Sequence, residues 1–226
     1  MRNFPVTVLD NFYENPELVR QFALSLDNFP DPHGWWPGKR TLSLGKVNQT
    51  QTFFQTFCKK LFGLFYDFDY QDVSYNVDTS FQSISNYSEN PDSKLNVGWI
   101  HSDKECIFSG VIYLNPNSQE SAGTNIYSLI DEKDSYLNQS EKFKLYNGKE
   151  PVNEVEYARQ LLENNNKFKE TINIKNVYNR MILFEGGVYH GVPSFYSSSS
   201  EPRLTQVFFV YKTEGGRYPV VRSKVR

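Results

Sequence analysis

Short, regularly punctuated β-like runs fill the chain from Ser74 onward and restrict the folds open to it. These runs are apolar or alternate between apolar and polar residues, and polar turns separate them. They are Phe81–Tyr87, Val97–His101, Cys106–Leu114, Thr124–Leu129, Asn179–Phe184 and Leu204–Lys212. Several short strands with this punctuation are typical of a β-sandwich or a barrel. The 18 Phe, 15 Tyr and 3 Trp favour the same class, because aromatic rings suit pleated, half-buried surfaces.

Helical spacing of apolar residues appears in three other segments. Pro16–Leu26 and Gln49–Phe65 each carry an apolar stripe, and we expect both helices to brace the back of a sheet. A third helix is predicted near Asn153–Asn164. It lies inside the charged, Asn-rich segment 131–175, which is predicted to be an insertion between strands of the core.

Length and charge limit the organisation and the partners. A chain of 226 residues suits one domain, predicted as helical support over 1–73 and a β core over 74–212. The 24 basic and 26 acidic residues leave a net charge of -2, with no basic tail, so neither nucleic acid nor a membrane is an expected partner. The polar start and the lack of a long apolar run predict a soluble, cytoplasmic protein. Its oligomeric state is not visible in the sequence.

The chain has two cysteines, Cys58 and Cys106, which could pair in principle. No export signal is apparent at the start of the chain, so both are expected to stay reduced. Cys58 lies on the apolar face of the second predicted helix, and a buried thiol is the preferred interpretation.

Three residues indicate a metal site. His101 and Asp103 are two positions apart, and on an extended segment such residues project from the same face. His190 follows a β-like run and has glycines nearby that let the chain turn. Two imidazoles and one carboxylate form the facial triad of non-haem iron(II) oxygenases. The alternatives are an Asp that caps a surface turn and a histidine packed in the core.

Arg203 indicates an anion site beside the predicted metal. Strand alternation places Arg203, Thr205 and Val207 on one face. An inward guanidinium needs a partner, and its planar fork matches a carboxylate. Tyr113 on a neighbouring strand offers a hydroxyl donor. A surface ion pair for Arg203 and a core position for Tyr113 are the simpler alternatives.

The segment Pro30–Arg40 is predicted to be a loop, because it is rich in Pro and Gly. Its Trp35, Trp36 and Arg40 are candidates for contact with a substrate at the mouth of the site. Aromatic rings that only pack over helix ends would give the same pattern. His33 is assigned to structure or substrate contact and not to the metal.

The order of these motifs resembles a known family. His101-x-Asp103 comes first, and His190 and Arg203 follow it at the end of the β-rich region. Between them lie Val-Ile-Tyr-Leu-Asn, Ala-Gly-Thr and Asn-Arg-Met-Ile-Leu-Phe, at 111–115, 122–124 and 179–184. Over about Ser80–Lys212 the chain is similar to the iron(II)/2-oxoglutarate dioxygenases, in particular their prolyl-4-hydroxylase-like branch. The resemblance implies a mainly β fold with flanking helices around a double-stranded β-helix, a cupin-like jelly roll.

The resemblance also implies roles for individual residues. His101, Asp103 and His190 correspond to iron(II) ligands, and Arg203 with Tyr113 to the partners of the 2-oxoglutarate C5 carboxylate. Thr205, on the strand face of Arg203, is expected to contribute to that co-substrate site. The implied reaction uses O₂ and 2-oxoglutarate to hydroxylate a substrate, with succinate and CO₂ as products. A peptidyl side chain such as proline is the favoured substrate, and a free amino acid or small metabolite is the alternative.

Two other functions remain open on the sequence. One keeps the barrel but makes it a cupin-like module that binds a metal or ligand without turnover. The other is a zinc hydrolase that uses His101, Asp103 and His190 to hold a metal-bound water. The hydrolase leaves Arg203 without a role.

Overall fold

Strands dominate the part of the chain that the computed structural model describes, which is residues 4, 6–117, 119–130, 138–199 and 201–215. The strands are β1 Thr7–Leu9, β2 Asn28–Pro30, β3 Lys39–Thr41, β4 Ser74–Ile84, β5 Phe108–Tyr113, β6 Thr124–Leu129, β7 Phe168–Ile174, β8 Met181–Glu185, β9 Tyr189–Gly191 and β10 Arg203–Glu214. The helices are α1 Pro16–Ser25, α2 Gln51–Gly63, α3 Ser140–Asn147 and α4 Glu154–Asn165. Among these described residues, no helix is long and apolar enough to cross a bilayer.

The strands form two antiparallel sheets. The larger has the order β1-β8-β5-β10-β4-β3-β2, and the smaller has the order β7-β6-β9. Helices flank this mainly β core, so the fold class predicted from the sequence is confirmed. The architecture is the double-stranded β-helix.

Strand alternation separates the two faces of the larger sheet. On β10, Leu204 and Phe208 belong to the apolar core behind the sheet, whereas Arg203 and Val207 line a pocket on its other face. The register sets Thr205 opposite Tyr113 on β5 and opposite Gln82 on β4. The alternation predicted for Arg203, Thr205 and Val207 is therefore seen in the structure.

Helices α1 and α2 cover the back of the larger sheet, as their apolar stripes predict. On α2, Phe57, Cys58, Leu61 and Phe62 are all buried, and the Phe57 ring lies 5.6 Å from the ring of Phe208 on β10. Each such buried side chain contributes about 1.5–3 kcal/mol to stability. Cys58 and Cys106 are both free thiols.

The strand predicted over Val97–His101 is wrong. Only His101 makes a β-bridge, and its partner is His190. The N–H of Ile100 instead donates to the side-chain oxygen of Asn165 at 3.1 Å, and Asn165 donates in turn to the carbonyl of Gly98 at 3.0 Å. The segment stays extended because side chains of α4 satisfy backbone groups that a strand would otherwise pair.

The loop predicted over Pro30–Arg40 is also partly wrong. Its first residue, Pro30, belongs to β2, and its last two belong to β3, where Lys39 pairs with Ser83 and Arg40 pairs with Gln82 of β4. Strand β3 is three residues long and follows Gly38, whose φ of +69° suits a turn. So short a strand leaves no periodic signal in the sequence, and the Pro and Gly before it hide its start.

The predicted insertion 131–175 contains a strand of the core. Strand β7 pairs with β6 in the smaller sheet, with Ile172 opposite Ile126. Helices α3 and α4 lie between β6 and β7. Residues 131–137 lie outside the described residues. The predicted division into 1–73 and 74–212 stays a prediction.

Candidate metal centre

Three predicted ligands meet in the pocket between the sheets. One ligand atom from each of His101, Asp103 and His190 lies within 4.8 Å of the others. Nε2 of His190 is 3.6 Å from Oδ2 of Asp103, and Nε2 of His101 is 3.8 Å from Oδ1. The structure brings the three side chains together, while their role as metal ligands stays a prediction.

The backbone holds the two imidazoles side by side. The N–H of His101 donates to the carbonyl of His190 at 3.0 Å, and the N–H of His190 donates to the carbonyl of His101 at 2.8 Å. Residues paired in this way project their side chains from the same face. The ring centroids are accordingly 4.4 Å apart.

Both imidazoles are held in the same tautomer. Nδ1 of His101 lies 2.9 Å from the carbonyl oxygen of Trp99, and Nδ1 of His190 lies 3.0 Å from that of Val188. A carbonyl oxygen only accepts, so each Nδ1 carries a hydrogen, and in the neutral form of each ring the lone pair is on Nε2. That lone pair faces Asp103, as metal binding by neutral histidine requires.

The surroundings of Asp103 favour its ionised, carboxylate form. Burial raises its pKa, but His190, His101 and a hydrogen bond from Ser109 lower it, and the balance falls below the ordinary value. The Ser109 hydroxyl donates to Oδ2 at 2.6 Å. Burial and the neighbouring His190 lower the pKa of His101, and solvent moderates this effect because 54% of the His101 side chain is exposed to the pocket. The centre therefore offers two imidazole nitrogens and one carboxylate oxygen as potential metal ligands.

A buried cation lies in the same pocket. Arg203 is 5% exposed, its Nε–H donates to the carbonyl of Ala122 at 2.9 Å, and its Cζ is 5.4 Å from the ring centroid of Tyr113. Burial lowers its pKa, and Tyr113 opposes that shift. The Tyr113 hydroxyl donates to the hydroxyl oxygen of Thr124 at 3.0 Å.

Two buried polar atoms, one of Arg203 itself and one of Thr205, lack hydrogen-bond partners among the described residues. Nη2 of Arg203 and Oγ1 of Thr205 make no hydrogen bond with the described residues. Leaving such a group unsatisfied costs about 1–3 kcal/mol. A guanidinium nitrogen only donates, so the missing partner of Arg203 is an acceptor, and a carboxylate fits it best. The donor set therefore fits the distal carboxylate of 2-oxoglutarate.

The pocket is larger than a small co-substrate needs. Its volume of about 1470 Å³ exceeds the roughly 300–1,000 Å³ typical of ligand sites. Trp35, Trp36 and Arg40 all line it, although Trp35 is 64% exposed at the surface. His33 stacks on Trp35 with ring centroids 5.0 Å apart and is not part of the lining. The substrate role of these residues stays a prediction.

Two residues of the site, Ser109 and Lys142, were not predicted from the sequence. Ser109 shares its strand face with Val111 and Tyr113, so the alternation of β5 was a signal that pointed to it. Lys142 on α3 had no such signal. Its Nζ lies 5.5 Å from the ring centroid of Trp99, and burial lowers its pKa to about 8.

Solved structures of similar fold include a prolyl hydroxylase with a bound peptide and HygX with bound nickel and 2-oxoglutarate. A prolyl hydroxylase from Trichoplax adhaerens, bound to a hypoxia inducible factor peptide, is 11% identical with a TM-score of 0.52, over 98% of this chain and 87% of that one. HygX from Streptomyces hygroscopicus, with nickel and 2-oxoglutarate, is 12% identical with a TM-score of 0.52, over 96% and 84%. At these identities the likeness shows the fold, and it confirms the predicted resemblance at that level. No curated protein matches the chain.

The fold and the site together define a double-stranded β-helix with a His-Asp-His group that can hold a metal. Residues 1–206 match the family of unknown function DUF6445. The chain belongs to this family.

Proposed function

We propose that this protein is an iron(II)- and 2-oxoglutarate-dependent oxygenase that hydroxylates a substrate bound in the large pocket. The observation that carries the proposal is the unpaired Nη2 of Arg203, which is buried in the same pocket as the His-Asp-His group. A metal triad alone serves many reactions. A buried guanidinium whose Nη2 has no acceptor among the described residues indicates a co-substrate with a carboxylate.

Each group of the site has a part in this reaction. Nε2 of His101, Nε2 of His190 and the carboxylate of Asp103 would hold iron(II), and Arg203 with Thr205 would bind the C5 carboxylate of 2-oxoglutarate. Iron, 2-oxoglutarate and O₂ together supply the oxidising chemistry, with succinate and CO₂ as by-products.

The protein holds these groups in position through side-chain and backbone contacts. Ser109 keeps the Asp103 carboxylate in place, and the carbonyls of Trp99 and Val188 keep both imidazoles in the binding tautomer. Tyr113 forms one wall of the Arg203 site with its ring. The buried setting strengthens every charge interaction at this end of the pocket.

A peptidyl side chain such as proline is the first candidate substrate, and a small molecule is the second. Both kinds occur among proteins of this fold, since the Trichoplax adhaerens enzyme was solved with a peptide and HygX was solved with hygromycin B. The large pocket has room for either.

The two other functions explain less. A zinc hydrolase needs the triad but leaves Nη2 of Arg203 without an acceptor. A cupin-like binding module accounts for both groups and differs only in turnover. Formation of succinate from 2-oxoglutarate separates this module from an enzyme.

The test starts with anaerobic protein, iron(II) and 2-oxoglutarate. We expect a weak charge-transfer band in the visible, lost in Asp103→Ala and kept in Asp92→Ala, which removes an exposed carboxylate elsewhere. Admission of O₂ should then yield succinate, even without substrate. A spectrum that does not respond to 2-oxoglutarate overturns the proposal. A normal band without succinate formation excludes the oxygenase and supports the cupin-like binding module.

A further inference from the structure

A second pair of unpaired donors lies in the wall of the same pocket. The Nε–H of Arg40 and the Nε1–H of Trp36 are buried, and neither has an acceptor among the described residues. Both side chains line the pocket. Arginine and tryptophan offer donors only, so whatever satisfies them is an acceptor.

Arg40 is held in place by its surroundings. Its Cζ lies 4.6 Å from the ring centroid of Trp36 and 5.4 Å from that of Phe209. Aromatic faces stabilise a guanidinium without using its N–H groups. The pairing of Arg40 with Gln82 ties its backbone to the larger sheet. The donors are therefore pre-positioned and unused.

The charge of Arg40 is not neutralised by a direct ion pair. Burial lowers its pKa to about 10, and Asp103, Asp78 and Asp31 oppose this shift. Of the ion pairs found among the described residues, none includes Arg40. Asp31 already accepts the N–H of Trp35 at 2.5 Å, and Asp103 belongs to the metal centre.

Arg40 is separate from the co-substrate end of the pocket. Thr205 on β10 is opposite Gln82 on β4, and Gln82 is opposite Arg40 on β3. Two strand spacings of about 4.8 Å put the Arg40 backbone roughly 10 Å from that of Thr205. Residues in one such row project from the same face of the sheet. Two cationic positions therefore line this face, one beside Thr205 on β10 and one two strands away on β3.

We propose that Arg40 and Trp36 bind a carboxylate of the substrate, so that the enzyme acts on an acidic molecule. This inference rests on the proposed function, because it treats Arg203 as the position for 2-oxoglutarate. The guanidinium supplies the charge, and the indole N–H supplies a second donor. The acid is either a small carboxylic acid or an acidic residue of a peptide.

The experiment uses protein loaded with nickel(II) and N-oxalylglycine, so that the Arg203 position is filled. Two matched pairs of probes are titrated by calorimetry: glutarate against glutaramide, and Ac-Pro-Glu-NH₂ against Ac-Pro-Gln-NH₂. In at least one pair we expect the acid to bind about tenfold tighter or more than its amide, the size typical of hydrogen bonds to charged groups. The pair that shows this preference identifies the source of the carboxylate.

Variants assign the preference to residues. Arg40→Gln should abolish the preference for the acid, and Arg40→Lys should retain part of it. Trp36→Phe keeps an aromatic ring but removes the indole N–H, and it should weaken acid binding several-fold. Lys39→Gln removes the same charge from the exposed neighbour on β3 and should keep the full preference. Circular dichroism checks that each variant is folded. If Arg40→Gln does not fold, Arg40→Lys still tests the role of Arg40.

Three outcomes overturn the inference: no acid binds better than its amide, Arg40→Gln keeps the preference, or inorganic phosphate binds more tightly than either acid. Failure of the proposed function is a different result, measured as the absence of the visible band with iron(II) and 2-oxoglutarate. A normal band without acid preference therefore overturns the inference alone.

Discussion

His101 and His190 exchange both main-chain hydrogen bonds, at 3.0 and 2.8 Å, although no regular strand contains His101. This single bridge sets the two rings 4.4 Å apart and turns both Nε2 atoms toward Asp103. The His-Asp-His group is therefore positioned by backbone geometry, and the side chains add the tautomer and the charge.

Loss of the Arg203 guanidinium should weaken 2-oxoglutarate binding. We expect Arg203→Gln to raise the dissociation constant by roughly ten- to a hundredfold, because a hydrogen bond to a charged group contributes about 1.5–3 kcal/mol. Anaerobic titration of the visible band measures this constant. Arg159→Gln removes an exposed arginine on α4 and should leave it unchanged. Equal affinity in Arg203→Gln would place the co-substrate elsewhere.

Two adjacent glycines should respond differently to alanine. A Cβ at Gly186 would lie 2.1 Å from the carbonyl oxygen of Cys106 and 2.3 Å from that of Asp103, whereas a Cβ at Gly187 would meet nothing within 4 Å. Gly186→Ala should therefore displace the Asp103 segment and weaken metal binding, and Gly187→Ala should not. Metal affinity and thermal unfolding of both variants check this. Similar behaviour of the two variants would contradict it.

The hydroxyl of Ser109 should support Asp103 as a proposed metal ligand. Its 2.6 Å hydrogen bond holds one carboxylate oxygen, and loss of such an outer partner typically costs ten- to a hundredfold in metal affinity. Ser109→Ala should weaken iron(II) binding in that range, measured by competition with a chelating dye without oxygen. Ser128→Ala, on an exposed position of β6, is the matched control. Unchanged affinity would show that Asp103 is held without Ser109.

The ion pair between Asp10 and Arg180 should make a small, pH-dependent contribution to stability. Arg180 donates to both carboxylate oxygens, at 2.5 and 2.9 Å, and this hydrogen bonding lowers the pKa of Asp10. A lowered pKa means that the stabilisation is complete above the unfolded value near 3.9 and is lost as the pH falls through the folded value. Because Asp10 is half exposed, we expect at most about 1 kcal/mol.

Urea unfolding of Asp10→Asn and wild type tests this sign. The difference in unfolding free energy should be constant from neutral pH to about 5 and shrink in more acidic solution. A difference that grows on acidification would contradict the assignment.

Local patterns predicted much of the fold. The helix expected over Gln49–Phe65 is observed over Gln51–Gly63, and the strand expected over Thr124–Leu129 is observed with those bounds. Both follow from the periodic placement of apolar residues, which is a property of the sequence. The face of β10 that carries Arg203 was predictable for the same reason.

Features that depend on distant partners were not predictable. Strand β3 exists because Lys39 and Arg40 meet β4, and β7 exists because it pairs with β6. The segment at 97–101 has a strand-like sequence, but its backbone bonds go mainly to α4 and to residues near His190. Such pairings are decided by the three-dimensional arrangement and leave no local signal.

The sequence by itself determined which types of side chain the site contains and which face of β10 carries Arg203 and Thr205. Both are local properties, because they depend on residue chemistry and on strand alternation. Tertiary structure decided that His190 reaches His101 and that Ser109 holds Asp103. It also left Nε of Arg40 and Nη2 of Arg203 buried without acceptors in the part of the chain that the structure describes. Those facts depend on how strands far apart in the chain pair, and pairing is a property of the whole fold.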